Sequence, residues 1–260
     1  MKTLVSVELM RKSDEYTIKN FIESKELMFR AGEGVFKSYT WQGRTAIVCG
    51  SGNNAGDGYV LALLLKQSGF SCTLFLLKEK FSDDGLYYFE KCREAGIEYV
   101  ICDENTDFSA FSQIVDCIFG TGFKGEVTGL AKTIIDKINS SSAFVISVDI
   151  NSGLNADSGM GNCVISDLTV SIGYLKAGFY LGSAREKIKK IVNCDIGITL
   201  LEAGYTLIEK GEKIHCDADE VPYPECDLPI DYLEKFAREK GCFIKSRNIL
   251  TNGEKTCIFE

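Results

Sequence analysis

The sequence predicts an α/β protein built on a parallel sheet that is covered on both faces. Short apolar runs such as Ile47-Val48-Cys49 and Phe144-Val145-Ile146-Ser147-Val148 recur as far as Ile196 and alternate with segments of helical period. These runs are nearly continuously apolar, which is the pattern of strands buried from both sides. The third observation is Ile47-Val48-Cys49-Gly50-Ser51-Gly52-Asn53-Asn54-Ala55-Gly56-Asp57-Gly58, an apolar strand breaking into a glycine-rich polar loop before a helix. In such sheets the ligand crevice lies beyond the carboxyl ends of the strands.

Two helices are expected over residues 6–39, with apolar stripes through Leu9, Met10, Ile18, Phe21 and Ile22 and then Leu27, Ala31, Val35 and Tyr39. They precede the sheet and pack on it or on a second subunit. The alternation begins with a strand at 45–49, a helix at 59–67 stopped by Gly69, and a strand at 72–77. It continues with a helix at 83–95 stopped by Gly96 and strands at 99–102 and 114–119. A helix near 130–139 and a strand at 144–150 extend the sheet, and strands at 168–172 and 191–196 close it. After residue 199 the chain is more polar and holds all three prolines. Residues 1–199 therefore read as the main domain and 200–260 as an appendage, with a helix at 232–240 and a small hairpin turning at Asn252-Gly253.

Composition excludes several classes. The chain has 260 residues, 45% of them hydrophobic, enough for one large core. A net charge of −8 with no basic run argues against a nucleic-acid surface. Eleven cysteines with no CxxC pair and a single histidine, His215, read as reduced thiols in a core, not as zinc ligands or a disulfide frame. The apolar start before Glu8 is too short for a signal peptide and no run reaches the length of a membrane span, so the expected compartment is the cytoplasm. Acyl transfer is disfavoured because no serine or cysteine has a histidine partner. Ordinary hydride transfer is disfavoured too, because the glycine spacing is G-x-G-x-x-x-G.

Polar residues cluster at three strand ends. They are Asn53 to Asp57 after the first strand, Asp116 with Gly120 to Glu126 at the fourth, and Asp149 to Gly153 at the fifth. The loop amides and the next helix's N-terminus form an anion site, although Asn53 and Asn54 also suit left-handed backbone and Asp57 suits a helix cap in the first turn. Asp116 interrupts an apolar strand and needs a counter-charge or hydrogen bonds, unless it is a cap. Oxygens of Asn54, Asp116 and Ser152 suit a hard cation, and the lack of a multi-carboxylate cluster favours a large monovalent one. Asp149 is the catalytic candidate: it ends its strand in the same crevice, and a partly desolvated carboxylate can exchange a proton near neutral pH.

These blocks, with Asp116-Cys117-Ile118-Phe119-Gly120-Thr121-Gly122, Val148-Asp149-Ile150-Asn151-Ser152-Gly153 and Leu175-Lys176-Ala177-Gly178, resemble in kind and order the NAD(P)H-hydrate epimerase family, the YjeF N-terminal domain. Met10-Arg11-Lys12-Ser13-Asp14 and Leu27-Met28-Phe29-Arg30-Ala31-Gly32 resemble the family's entry, and the resemblance covers roughly residues 4–199. It implies a Rossmann-like three-layer α/β/α sandwich, usually a homodimer. The implied activity interconverts the R and S forms of hydrated NADH and NADPH, so that a separate dehydratase can restore the cofactor. By position, the resemblance puts the hydrated dinucleotide on Asn53, Asn54, Ala55, Gly56 and Asp57 and on Gly120, Thr121, Gly122, Phe123, Lys124, Gly125 and Glu126. It puts a potassium ion on Asn54, Asp116 and Ser152, and the reacting part of the substrate on Asp149.

The sequence departs from the family pattern at Asn151 (usually proline), Asn155 (aspartate), Ala55 (glycine) and Phe29 (glutamate). Loss of the proline is expected to free the turn before Ser152. Two other readings remain at this point: a non-catalytic dimeric nucleotide- or RNA-associated module of the same fold, and a sensor of modified nucleotides that would not need Asp149.

Overall fold

The computed structural model describes residues 2–201 and, beyond them, four short strands at 205–208, 213–216, 219–222 and 257–259. Strand β1 (Lys2–Val5) leads into helices α1 (Val7–Asn20) and α2 (Ser24–Lys37). The α1 start is fixed by Ser6, whose hydroxyl accepts from the Leu9 amide at 3.1 Å. Next come β2 (Arg44–Cys49), α3 (Asn53–Gln67), β3 (Ser71–Leu76), α4 (Asp83–Glu94), β4 (Glu98–Ile101), β5 (Gln113–Cys117), α5 (Gly129–Asn139), β6 (Phe144–Val148) and β7 (Leu168–Ile172). A two-residue β8 (Leu175–Lys176), a 3₁₀ turn (Ala177–Tyr180), a short α6 (Ala184–Lys187) and β9 (Ile191–Cys194) follow.

The main sheet has seven strands in the order β4-β3-β2-β5-β6-β7-β9, and every neighbouring pair is parallel. The order reverses between β2 and β5, so the crevice opens at their carboxyl ends. Period-two alternation assigns the faces. Ile47, Cys49, Val115 and Cys117 pack with α2, α3 and α4, while Ala46, Val48 and Ile114 pack with Ile134, Ile135 and Ile138 of α5. Helices thus cover both faces, as expected. A smaller core of Leu4, Ile150, Leu154, Phe179 and Leu181 joins β1, the turn after β6 and the 3₁₀ segment.

The main differences from expectation sit at element ends. Helix α3 begins at Asn53, not near residue 59, so Asn53 to Asp57 are helical and only Gly50 to Gly52 form the loop. Gly56 and Gly58 serve packing: a Cβ would lie 2.4 Å from Met28 Sδ at Gly56 and 2.9 Å from Cys117 Sγ at Gly58. Asp57 is the helix's fifth residue, beyond the first turn, and does not cap it. The two small strands β1 and β8 lack an apolar run long enough to reveal them. They pair in parallel, and β10 (Tyr205–Ile208) adds antiparallel to β1 and to β13 (Cys257–Phe259). The last arm expected for the small hairpin, β13, pairs with β10. His215 lies on β11 (Lys213–Cys216), paired with β12 (Asp219–Pro222). The helix at 232–240 and the turn at Asn252-Gly253 lie outside the described residues.

Candidate functional site

At the crossover, Gly50 lets the chain leave β2 against β5: a Cβ there would lie 1.9 Å from the Ile118 carbonyl oxygen. Gly52 then occupies the N-cap of α3 without a side chain to offer; the Ala55 amide donates to the Gly52 carbonyl at 3.1 Å, and the amides of Asn53 and Asn54 are the ones placed for a ligand. A cavity of about 520 Å³ lies over this point. Its walls include Ser51 to Asn54, Asp57, Gly120 to Phe123 and Asp149, with Met10, Arg11 and Asp14 contributed by α1.

The three predicted clusters meet here. A Cβ built on Gly120 would lie 3.4 Å from Asn54 Cβ and 3.5 Å from Asp149 Oδ2, so loops from three strand ends touch one spot. Asn53, Asn54, Asp57, Gly120, Thr121, Gly122 and Phe123 line the cavity. Ala55 and Gly56 face the protein interior, Gly56 against Met28, while Lys124, Gly125 and Glu126 are exposed outside the cavity wall. Phe119 and Phe123 stack with ring centroids 4.4 Å apart and form an aromatic edge to the opening.

Asp116 is fully buried on β5, with its register neighbour Ser147 on β6. Its Oδ2 accepts from Ser147 Oγ and from the Ser152 amide, both at 2.9 Å. Its Oδ1 accepts from Ser152 Oγ at 2.5 Å and from the Ile118 amide at 3.2 Å. Four neutral donors therefore do what was expected of a counter-charge. Burial pushes the Asp116 carboxyl above the usual carboxylate range, and the bonds from Ser152, Ile118 and Ser147 pull against it. Ser152 Oγ also accepts from the Phe119 amide at 2.8 Å, and Asn54 Nδ2 donates to the Phe119 carbonyl at 3.0 Å. Asn54 Oδ1 is buried without a hydrogen-bond partner. An orphaned oxygen beside a carbonyl, a hydroxyl and a buried carboxylate is a donor set that fits a hard monovalent cation. Among the described residues no group of three His, Cys, Asp or Glu side chains is arranged to hold a metal ion.

Asn151, expected to loosen this turn, tightens it. Its buried amide donates to the Val164 carbonyl at 2.9 Å and to Ser166 Oγ at 3.0 Å, and its Oδ1 accepts from Thr169 at 2.6 Å. Asn155 Oδ1 accepts from the amides of Asp157 and Ser158, forming a local turn. Phe29 is 37% exposed on α2.

Asp149 leaves β6 with φ of 66°, the one non-glycine residue with positive φ among those described. Its carboxylate pairs with Lys176, a lysine with no exposed surface, and its side chain keeps 18% of its own. Asp57 and Asp14 complete an acidic wall. Burial pushes the Asp57 carboxyl well above the usual range, reinforced by the charges of Asp149 and Asp14 and opposed by Lys176. Asp14 is raised by burial first and by Asp149 next. The sequence reading missed both Lys176 and Asp14. Both lie in blocks that resemble the family, Leu175-Lys176-Ala177-Gly178 and Met10-Arg11-Lys12-Ser13-Asp14, and Lys176 further stands out as a charge in an otherwise apolar stretch, Tyr174-Leu175-Lys176-Ala177-Gly178-Phe179, but neither was assigned to the site.

Comparison with known proteins identifies the family. The YjeF-related protein N-terminus family matches residues 24–178. A protein of Lentilactobacillus buchneri named NAD(P)H-hydrate epimerase is 35% identical over 76% of this chain and 96% of its own length. One of Oenococcus oeni with the same name is 33% identical over 75% and 96%. The bifunctional NAD(P)H-hydrate repair enzyme Nnr of Archaeoglobus fulgidus is 36% identical over 66% of this chain but only 37% of its own length. Yeast ynu0 shares the fold with a TM-score of 0.62 at 21% identity, covering 72% of this chain and 87% of that one. The chain belongs to the family of YjeF-related protein N-termini.

Proposed function

We propose that this chain is an NAD(P)H-hydrate epimerase, an isomerase that interconverts the R and S forms of hydrated NADH and NADPH. The observation that carries the reading is that one cavity brings the start of α3, with no side chain capping it, together with three carboxyls, Asp14, Asp57 and Asp149. The uncapped start of α3 and the Gly50 to Gly52 loop suit the pyrophosphate. Asp14, Asp57 and Asp149 would repel phosphate and suit the uncharged hydrated ring, which needs a proton given and taken at the oxygen of its hydroxyl group. Asp149 is assigned that proton transfer, and the Phe119 and Phe123 pair supplies an apolar edge for a ring.

Asn54, Asp116 and Ser152 are the residues that would hold a potassium ion. Bound there, the ion would offset the Asp116 charge and tie the α3 start to the Phe119 and Ser152 loops. The acidic surface and the complete loops support an enzyme over the RNA-associated alternative. A homodimer, a separate dehydratase acting on the product and a cytoplasmic location are part of the same proposal. No helix among the described residues is long and apolar enough to cross a membrane.

The test is to follow the R-to-S ratio of hydrated NADH by chromatography with and without the protein. Faster equilibration is the expected result. Rates equal to the spontaneous one would overturn the reading.

A further inference from the structure

We infer that Lys176 is a positioning residue for this reaction: it grips Asp149 by Oδ1 and leaves Oδ2 facing the cavity beside Gly120. The inference rests on the epimerase reading. An ammonium has three N–H donors, and all three are taken here, by Asp149 Oδ1, by Ser171 Oγ at 3.1 Å and by the Ile172 carbonyl at 2.8 Å. The cation cannot swing between partners. Its backbone is held as well, because Lys176 on β8 is the register partner of Val5 on β1.

Lysine is among the residues least often buried completely, and burying its charge is unfavourable unless the charge is paired. Three carboxyls, Asp14 from α1, Asp57 from α3 and Asp149 after β6, face this region, and the lysine bonds only to Asp149. Asp149 is fixed from its own side too: its amide donates to the Val170 carbonyl at 2.8 Å, and its φ of 66° aims the side chain across the strand ends. Among the described residues its Oδ2 accepts no hydrogen bond, and a Cβ on Gly120 would come within 3.5 Å of it. One oxygen is thus committed to the protein and the other to the cavity. Lys176 itself has no surface toward the cavity, so its action on the substrate runs through Asp149.

The experiment compares the wild type, Lys176→Met, Lys176→Gln, Asp149→Asn and the Lys176→Met/Asp149→Asn double variant, using hydrated NADH as substrate and circular dichroism to confirm folding. Misplacing a reacting group by about 1 Å costs on the order of 10²-fold in rate, so each folded lysine variant should lose roughly 10-fold to 10²-fold in kcat with KM nearly unchanged. The double variant should be no slower than Asp149→Asn. Wild-type kcat in either folded lysine variant, or a raised KM with kcat retained, would overturn the inference. So would multiplicative losses in the double variant. If neither single lysine variant folds while the double does, the pair is a structural pin and the inference falls. An inactive wild type removes the epimerase reading and this inference together, whereas an active wild type with unaffected lysine variants removes this inference alone.

Discussion

Asp116 and Asp149 sit at the ends of adjacent strands of one sheet, yet the fold accommodates their charges in opposite ways. Asp116 accepts from four neutral donors, two on each oxygen, and its backbone is ordinary strand. Asp149 has one full cation, one oxygen without a partner among the described residues, and a left-handed backbone. Dispersing a charge over hydrogen bonds makes a rigid knot that holds both oxygens in place. Pairing it with a fixed lysine leaves half of the carboxylate for chemistry, and the strain of φ of 66° is tolerated where it aims that half.

The largest effect expected from this contrast is on rate. Asp149→Asn keeps the shape of the side chain but cannot carry the proton, so kcat should fall by about 10²–10⁴-fold, the range for loss of a general acid–base. Dinucleotide binding, measured by calorimetry with the unhydrated cofactor, should persist. Wild-type turnover in this variant would move the proton role to Asp57, since Lys124 lies outside the cavity wall.

Asp116→Ala should act mainly on folding. It strips the acceptor from two hydroxyls and two amides in a dry site, and each buried donor left alone costs about 1–3 kcal/mol. A loss of at least about 3 kcal/mol by urea denaturation is the expected outcome. A variant as stable as the wild type would dissolve the contrast between the two aspartates.

Asn54→Leu separates the cation from the knot. It removes the orphaned Oδ1 and the bond to the Phe119 carbonyl but leaves Asp116 with all four donors. Activity should become indifferent to replacing potassium with a bulky organic cation, while stability falls only by the roughly 1 kcal/mol of one hydrogen bond. A wild type already indifferent to potassium would remove the cation assignment.

Much of this was legible in the residues. Apolar runs such as Ile146-Ser147-Val148 carry strong signals for strands buried on two faces, and the parallel sheet and its crevice follow from them. The start of α3 was not legible, because Gly56 and Gly58 read as loop punctuation when taken alone. Only Met28 and Cys117, distant in sequence, reveal that they are there for close packing. Asp14 and Lys176 were missed for a similar reason. A polar residue on a helix or in a short strand has no local mark that distinguishes a solvated charge from one brought to the cavity by tertiary packing. Asn151 shows the converse: the sequence suggested a freer turn without proline, and the side-chain bonds to Val164, Ser166 and Thr169 replace the lost constraint.

Asp57 offers the smallest and sharpest test, because it has neither the donor knot of Asp116 nor the lysine of Asp149. Burial and the neighbouring charges of Asp149 and Asp14 hold its carboxyl well above the ordinary range. Such a group stabilises the fold fully at a pH below its unfolded value, and that contribution is lost as pH rises through the folded value. At neutral pH the wild type therefore carries either a strained charge or a proton taken up at a cost, and an asparagine, which is neutral at every pH, carries neither. Asp57→Asn should melt higher than the wild type at pH 7, by about 2–4 °C for each 1 kcal/mol relieved, and the advantage should shrink toward pH 4. If the two melting curves keep a constant separation across that range, burial and the neighbouring charges do not raise the Asp57 carboxyl in the folded protein. The acidic wall would then be three independent carboxylates, and the special position of Asp149 beside Lys176 would need another explanation.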